Sequence, residues 1–423
     1  MKVLVIGDGA AEHAIVWKLS QSRHINKIYC CPGNIGIAKI AESIDVSPYN
    51  FRTLIDFVKY EWIDLTIVGS RKLFLKGIVN AFEKEGCKIL GLHKATAQFM
   101  TSRVSVKNLM RQYRIPTPEY KVFTSFLHAQ DYIRIKGTPL TIKTDVSLNN
   151  GVFKAFTIED ATKALKIIMK DRMFGDAGNR VIVEENLQGE NVCFLTVTDG
   201  KTITPLTDLY KYKNIGKDKK GLIETVIGAY SPTGIITEEL KNVIMTQIME
   251  PLLKAIKSEG IQYKGILIAD LICTQKRPYI VDLQCCFLDP ETQTILPRLK
   301  KDFFEIAFSV IEERLSDIKI EWIQKTSVCV TVFSRVYLQK NQKKLIIQEL
   351  DKIKSMKDIT VFYGGVSLRD TKKVSEGENI FSIIATGNDM KEAQKKAYKA
   401  INEIHLDVIY HKNRKDISNK NLM

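Results

Sequence analysis

The 423-residue sequence predicts an α/β protein that begins with a doubly wound parallel sheet, on three observations. Short apolar runs typical of buried strands lie at Val3–Ile6, Lys27–Cys31 and Leu65–Val68. Segments with the apolar spacing of helices, such as Ala11–Leu19, alternate with these runs. Glycine- or proline-containing turns end the first two runs. This β-α-β rhythm is typical of a parallel sheet with helices on both faces.

The remaining elements of the first region follow the same alternation. A helix near Leu75–Lys84 precedes a strand at Lys88–Leu90, and the region is predicted to end near residue 100. Ala95–Tyr113 then has the spacing of one long helix. Pro116 closes it, because proline cannot continue a helix and restricts the residue before it.

A mixed α+β region and a last small α+β region follow. A hairpin is predicted around Asp199 and Gly200, a common turn pair. A lysine- and glycine-rich loop is predicted at Tyr212–Gly221, and a helix with a kink at Pro251 spans Glu238–Ser258. The last region starts near Ser327, and its polar tail follows His411. The other predicted strands and helices are Leu140–Lys143, Glu159–Lys170, Arg180–Glu184, Asn191–Thr198, Thr202–Leu206, Gly265–Cys273, Tyr279–Leu283 and Asp302–Arg314.

Composition narrows the class of protein. Eight cysteines without CxxC spacing favour free thiols in a cytoplasmic protein over a zinc ribbon or a secreted disulfide framework. No apolar run reaches the ~18–20 residues of a membrane helix, so we expect no membrane partner. The net charge of +15 permits an acidic ligand. Without an Arg-Gly tract, zinc finger or RNP-like motif, it does not favour nucleic-acid binding.

The turn from Gly7 to His13 connects the first strand to the first helix. Backbone N–H groups at such a turn can bind a phosphate group. Glu12 occupies the third glycine position of a GxGxxG motif, which argues against a dinucleotide site. The alternative is that Gly7 and Gly9 only let the helix pack close to the strand.

Several short motifs occur in the order found in one enzyme family. They are Ala11-Glu12-His13-Ala14, Trp17-Lys18-Leu19, Pro32-Gly33-Asn34-Ile35-Gly36, Gly228-Ala229-Tyr230-Ser231-Pro232, Asp289-Pro290-Glu291-Thr292-Gln293, Leu296-Pro297-Arg298-Leu299 and Ala385-Thr386-Gly387. With them the chain resembles the phosphoribosylamine–glycine ligases of the ATP-grasp superfamily over almost its whole length. The stretch Asp289–Leu299 is the most specific of these matches.

The resemblance implies an architecture and a reaction. The implied domains are an N-terminal substrate domain at 1–100, a central ATP-grasp (α+β) domain of two lobes at 101–320, and a small C-terminal α+β domain at 321–423. The family cleaves ATP to join 5-phosphoribosylamine to glycine through a glycyl phosphate, in purine biosynthesis. ATP and Mg²⁺ are the implied cofactors, the partners are small molecules, and the chain would be a monomer or a weak homodimer.

The resemblance also implies roles for individual residues. The residues implied to bind ATP are Arg103, Lys143, Glu184, Leu187 and Glu190. Those implied to bind the sugar-phosphate amine or glycine are Gly7, Gly9, Glu12, His13, Pro32, Gly33 and Asn34. The two implied catalytic residues are Asp289 and Glu291.

The ATP-grasp resemblance also implies a metal site, with one carboxylate on a strand and a Glu-x-Asn about a dozen residues later on the neighbouring strand. Asp270 lies twelve residues before Asp282, and Asp282 and Gln284 point to the same face of their strand. Carboxylate and amide oxygens are ligands that suit Mg²⁺. The predicted ligands are therefore Asp270, Asp282 and Gln284, in a family that has Glu and Asn at the last two positions. The alternative is that both aspartates are only solvated strand ends.

The chain departs from the family at several motifs. The phosphate-covering loop at 144–152 lacks most of the family's glycines, and Lys211 stands where the family has aspartate. Cys286 and Ala11 stand where the family has arginines. Two alternatives to an unaltered ligase therefore stay open. One is a degenerate binding or scaffolding protein; the other is a ligase with a changed, more anionic substrate, which Lys211 and the cluster Lys217–Lys220 would suit.

Overall fold

The structure is a computed structural model that describes residues 1–146, 151–215, 224–333, 352–353, 355–369, 372–375 and 379–404. Residues 147–150 of the predicted phosphate-covering loop lie outside these ranges, as do the lysine cluster 217–220 and the predicted polar tail. Within the described ranges, no helix combines the length and apolar character that a membrane span requires.

The first region is a five-stranded parallel sheet, as the sequence predicts. Its strands, in chain order, are β1 (Lys2–Gly7), β2 (Lys27–Pro32), β3 (Glu42–Ser43), β4 (Leu65–Val68) and β5 (Ile89–Leu90). The order across the sheet is β3-β2-β1-β4-β5. Its helices are α1 (Ala10–Leu19), α2 (Phe51–Tyr60), α3 (Arg71–Lys76) and α4 (Ile78–Lys84).

Helices bury both faces of this sheet. Val3 and Val5 of β1 pack in one apolar cluster with α1, whereas Leu4 and Ile6 pack in a second cluster with α2 and α4. A strand buried on both faces has an apolar run without alternation, which explains why the β1 sequence is continuously apolar.

Two helices predicted as continuous are each divided in two. Gly77, with φ of +87°, separates α3 from α4. Ser102, with φ −84° and ψ 109°, separates α5 (Lys94–Thr101) from α6 (Arg103–Gln112). The Ser102 hydroxyl accepts the Ser105 N–H at 3.1 Å and so caps α6. An apolar period continues across such a break, so the pattern alone does not show it.

The central region contains two antiparallel sheets. The four-stranded sheet has the order β6-β9-β7-β8 and packs against α7 (Phe126–Lys136) and α8 (Ile158–Leu165). Its strands are β6 (Tyr120–Phe123), β7 (Leu140–Thr144), β8 (Val152–Ala155) and β9 (Val181–Glu185). The eight-stranded sheet begins with β10 (Glu190–Thr198), β11 (Ile203–Ile215), β12 (Glu224–Ser231), β13 (Gly265–Cys273) and β14 (Pro278–Gln284). The helices here are α9 (Glu238–Ile244), α10 (Glu250–Ser258), α11 (Glu291–Ile295) and α12 (Phe303–Ile311).

The predicted hairpin around Asp199 is confirmed, and β10 pairs with β11. The predicted loop at Tyr212–Gly221 is wrong for its first four residues, because β11 continues to Ile215. There it pairs with β12, with Tyr212 opposite Gly228. Pairing with a distant strand satisfies backbone groups that the local sequence leaves open. A π-helical turn at Met245–Met249 interrupts the helix just before Pro251.

The last region extends the eight-stranded sheet. Its strands are β15 (Thr326–Phe333), β16 (Ile359–Tyr363), β17 (Val366–Arg369), β18 (Lys372–Ser375) and β19 (Asn379–Gly387), with helix α13 (Met390–Asn402). β15 pairs with β12, so the order across the sheet is β14-β13-β10-β11-β12-β15-β19-β16. The predicted α/β class is confirmed, while the boundaries at residues 100 and 320 stay predictions.

Candidate active site

The glycine turn after β1 surrounds a buried carboxylate. Glu12 is 8% exposed, and its Oε2 accepts the Gly9 N–H at 2.9 Å. A Cβ at Gly7 would lie 2.4 Å from the Glu12 side chain, and one at Gly69, beyond β4, would lie 2.0 Å from it. Burial, and then the charge of Asp289, raise the pKa of Glu12 to about 8. The turn's glycines therefore make room for this carboxylate.

The second predicted substrate segment lines a cavity of about 430 Å³ beside β1. Pro32, Gly33 and Asn34 line it together with Asp8 and residues 364–366 of the last region. The Asn34 amide donates to the Asp8 carbonyl at 2.7 Å and to the Tyr363 carbonyl at 2.8 Å. The cavity therefore lies between the first and last regions of the chain.

His13 holds the same two regions together from α1. Its Nδ1 accepts the Tyr363 N–H at 2.9 Å, and its ring stacks on Tyr363 and meets Phe362 edge-on. His13 is buried and is not among the residues that line the cavity. Its contacts position β16 against α1, and its predicted substrate contact stays a prediction.

Three charged side chains form a buried cluster between α6 and the two central strands of the four-stranded sheet, β7 and β9. The Lys143 ammonium contacts Glu184 Oε1 at 2.8 Å and donates to the Val281 carbonyl at 2.8 Å. Lys107 of α6 lies 2.5 Å from Glu184 Oε2. Burial lowers the pKa of Lys107 to about 8, although Glu184 opposes this effect. Lys107 was not predicted from the sequence. A lysine at a position on the apolar face of a helix is the signal that could have identified it.

Arg103 connects the start of α6 to β14. Its Nε and Nη2 both lie 3.0 Å from Asp282 Oδ2, and its Nη1 donates to the Thr144 carbonyl at 3.0 Å. Burial would raise the pKa of Asp282, but the charges of Arg103 and Lys143 outweigh it and lower the pKa to about 2. Asp282 is therefore a permanent carboxylate.

The link between β9 and β10 joins the two antiparallel sheets. Leu187 lies half-buried in this link, and Glu190 begins β10 opposite Cys273 of β13. A segment that crosses from one sheet to the other can present backbone groups to a ligand between them. The predicted ATP contacts of both residues stay predictions.

The three predicted metal ligands each contact a cationic side chain. Asp270 and Asp282 lie directly opposite each other on β13 and β14. Lys211 of β11 contacts Asp270, Arg103 contacts Asp282, and the Arg71 guanidinium donates to Gln284 Oε1. Asp282 and Gln284 are half-buried and offer oxygen atoms of the type that Mg²⁺ prefers. Arg103 contacts one oxygen of Asp282, Oδ2, whereas Lys211 contacts both oxygens of Asp270. Asp282 and Gln284 therefore fit a Mg²⁺ site better than Asp270 does.

Asp289 and Glu291 lie at the start of α11. The Asn379 amide donates to Asp289 Oδ2 at 3.1 Å, and burial raises the pKa of Asp289 to about 6. Lys211 contacts Glu291 Oε1 at 3.1 Å. Across the described ranges, the buried Glu291 Oε2 has no hydrogen-bond partner, so it can accept a hydrogen bond from a ligand.

Arg71 is a further candidate that the sequence analysis missed. It begins α3 directly after β4, at the carboxyl end of a parallel strand, where ligands bind in open α/β sheets. Its guanidinium is buried and lies beside Cys286. Burial acts to lower the pKa of Arg71, but the neighbouring groups, Cys286 first among them, outweigh burial and raise it. Arg71 thus places a guanidinium beside Cys286, where the resembling family has an arginine.

Comparison with known protein families matches the chain in three consecutive segments. The family models are those of phosphoribosylglycinamide synthetase: the N domain at residues 1–99, the ATP-grasp (A) domain at 101–292 and the C domain at 327–420. A phosphoribosylamine–glycine ligase from Caldanaerobacter subterraneus subsp. tengcongensis is 38% identical over 419 residues, which cover 99% of each chain.

Solved structures share the fold over nearly the same length. The phosphoribosylamine–glycine ligase of Thermotoga maritima superposes with a TM-score of 0.81 at 22% identity, covering 97% of this chain and 98% of its own. The biotin carboxylase domain of the Hydrogenobacter thermophilus 2-oxoglutarate carboxylase, solved with MgADP, gives a TM-score of 0.71 at 13% identity. It covers 96% of this chain, and this chain covers 91% of it. On the three family models and the full-length identity, the chain belongs to the phosphoribosylglycinamide synthetase family of ATP-grasp proteins.

Proposed function

We propose that this chain is a phosphoribosylamine–glycine ligase of purine biosynthesis, which uses ATP and Mg²⁺ in the cytoplasm as a monomer or weak homodimer. The observation that carries the proposal is the 38% identity to a curated ligase of that name over 99% of both chains. A relationship over the full length preserves the domains together with the order of their motifs. The geometry of the site supports the same reaction.

Cationic side chains would hold the nucleotide. Lys143 lies on β7 and Arg103 begins α6, and each has a carboxylate that fixes its position. Mg²⁺, held by Asp282 and Gln284, would neutralise charge on the phosphate oxygens. Enclosing the reaction among these groups also keeps water from an acyl phosphate. We assign Leu187 and Glu190 to the adenosine end of the nucleotide.

The sugar phosphate would bind at the glycine turns of the first sheet. The segment Pro32–Asn34 lines the cavity beside β1, and the turn from Gly7 to Gly9 leads from β1 into α1 next to it. The amine of phosphoribosylamine attacks the carbonyl carbon of glycyl phosphate, phosphate leaves, and the amine loses a proton. We assign Glu291 Oε2 as the atom that accepts this proton, with Asp289 beside it.

The alternative of a changed, more anionic substrate depends on Lys211 as a free cation. In the structure the Lys211 ammonium contacts Asp270 and Glu291 and is 8% exposed. Lys211 therefore gives this alternative no support, and the lysine cluster 217–220 lies outside the described residues. The comparisons offer no support for a degenerate scaffolding protein either.

The test is ADP formation by the purified chain with Mg²⁺, ATP and glycine, with phosphoribosylamine generated from ribose 5-phosphate and ammonia. We expect turnover that requires both glycine and phosphoribosylamine. A Glu291→Gln variant should lose most of that turnover, and a family member of known activity serves as the positive control. ADP formation that needs neither substrate, or none under conditions where the control is active, would overturn the proposal.

A further inference from the structure

Two acidic side chains face each other on the edge strand of the eight-stranded sheet and its neighbour. Asp270 and Asp282 are direct cross-strand partners on β13 and β14. Like charges at such positions destabilise a sheet because their Cβ atoms are only ~4.5–5.5 Å apart. Two arrangements can relieve the repulsion. Either one divalent cation binds both carboxylates, or each carboxylate has a counter-cation of its own.

The structure has a separate cation at each carboxylate. Arg103 binds Asp282 with two nitrogens at 3.0 Å. The Lys211 ammonium lies 2.8 Å from Asp270 Oδ1 and 3.1 Å from Asp270 Oδ2. The two counter-cations come from different elements, Arg103 from α6 and Lys211 from β11. Neither carboxylate therefore needs a shared metal ion for charge balance.

The ammonium of Lys211 is fully used by these contacts. It has three N–H donors, and three carboxylate oxygens lie around it: both oxygens of Asp270 and Oε1 of Glu291 at 3.1 Å. The Cys193 thiol approaches Asp270 Oδ1 at 2.7 Å from β10. Both oxygens of Asp270 thus have partners from the protein, and no donor of Lys211 is left for a phosphate group.

We propose that the Lys211 ammonium takes the place of a divalent cation at the Asp270–Glu291 carboxylate pair, so that Asp270 is not a metal ligand in this chain. Metal binding is then left to Asp282 and Gln284 alone. This inference rests on the proposed function and narrows the set of residues that bind its metal ion. The Lys211 ammonium is then a permanent positive charge at this site, whereas a divalent cation would arrive with the nucleotide.

The test is a titration of the full chain with Mn²⁺ alone, followed by the electron paramagnetic resonance signal of free Mn²⁺. We expect Asp270→Asn to bind Mn²⁺ with the wild-type affinity and stoichiometry. Lys211→Ala, which exposes two carboxylates, should gain about one further Mn²⁺ ion per chain, since carboxylates are hard-cation ligands. Lys211→Ala/Asp270→Asn should lose that added ion again.

Lys201→Ala is the matched control, because it removes one lysine charge at an exposed pair with Glu313. It should not change Mn²⁺ binding. If Lys211→Ala does not fold, Asp270→Asn still decides the question. A drop of about tenfold or more in Mn²⁺ affinity for Asp270→Asn would overturn the proposal, as would a folded Lys211→Ala with no added site. The titration needs neither nucleotide nor turnover, so its failure leaves the ligase proposal intact.

Discussion

Replacing Glu184 by glutamine removes the one negative charge that Lys107 and Lys143 share. The three side chains are almost inaccessible, at 2%, 2% and 4% for Glu184, Lys107 and Lys143. The glutamine keeps the shape of the side chain and one acceptor oxygen. It leaves two buried ammonium groups with no carboxylate in this cluster.

The cost follows from burial. Removing one partner of a buried ion pair costs ~3–5 kcal/mol, because the remaining charge stays desolvated. The acceptor oxygen of glutamine places the expected cost at the lower end, about 3 kcal/mol. Local unfolding of the four-stranded sheet should therefore become easier by about a hundredfold, since 1.4 kcal/mol corresponds to a factor of ten.

Hydrogen exchange measured by mass spectrometry on peptides from β7 and β9 tests this reasoning. The control is Glu85→Gln, which breaks the exposed Lys59–Glu85 pair of 2.6 Å. Exposed pairs contribute little, so the control should leave exchange in its own peptides nearly unchanged. Equal exchange in β9 peptides of wild type and Glu184→Gln would refute the claim that Glu184 neutralises this cluster.

Three further predictions concern the first sheet and the nucleotide site. Glu12→Gln should become increasingly more stable than wild type between pH 4.5 and 8. The folded-state pKa of Glu12 is raised to about 8 by burial and by Asp289, so ionisation of the buried carboxyl costs ~2–4 kcal/mol. Urea unfolding at several pH values measures the stability difference between the two proteins, and a difference that does not change with pH would contradict the prediction. Gly69→Ala should destabilise the chain by ~1–3 kcal/mol, because the new Cβ would meet the Glu12 carboxylate at 2.0 Å. Adding Glu12→Ala should recover part of that loss in urea unfolding, and no recovery would place the clash elsewhere. Lys143→Met should weaken ADP binding by about tenfold or more, the worth of one charged hydrogen bond, in isothermal titration calorimetry. Lys121→Met, at an exposed lysine of β6, should leave ADP affinity unchanged.

The sequence alone determined the features that depend on neighbouring residues. Val3–Ile6 is apolar at every position and forms a strand buried on both faces. The Asp199-Gly200 pair makes the turn of the β10–β11 hairpin, with Gly200 at φ of +87°. The collinear motifs identified the family over its whole length. Each of these signals lies within a few residues, where backbone preference and apolar spacing decide the outcome.

The tertiary structure decided which charges meet. Lys211 lies 59 residues from Asp270 and 80 from Glu291. The pairing of β10 with β11 and β13 brings Lys211 to Asp270, and the packing of α11 brings Glu291 to both. Lys107 likewise meets Glu184 because α6 lies against the central strand β9 of the four-stranded sheet. Local patterns do not specify register between distant strands, so the sequence named Arg103, Lys143 and Lys211 without their acidic partners, and it did not indicate Lys107 or Arg71. Burial then makes each pairing energetically important, which is a property of the folded chain.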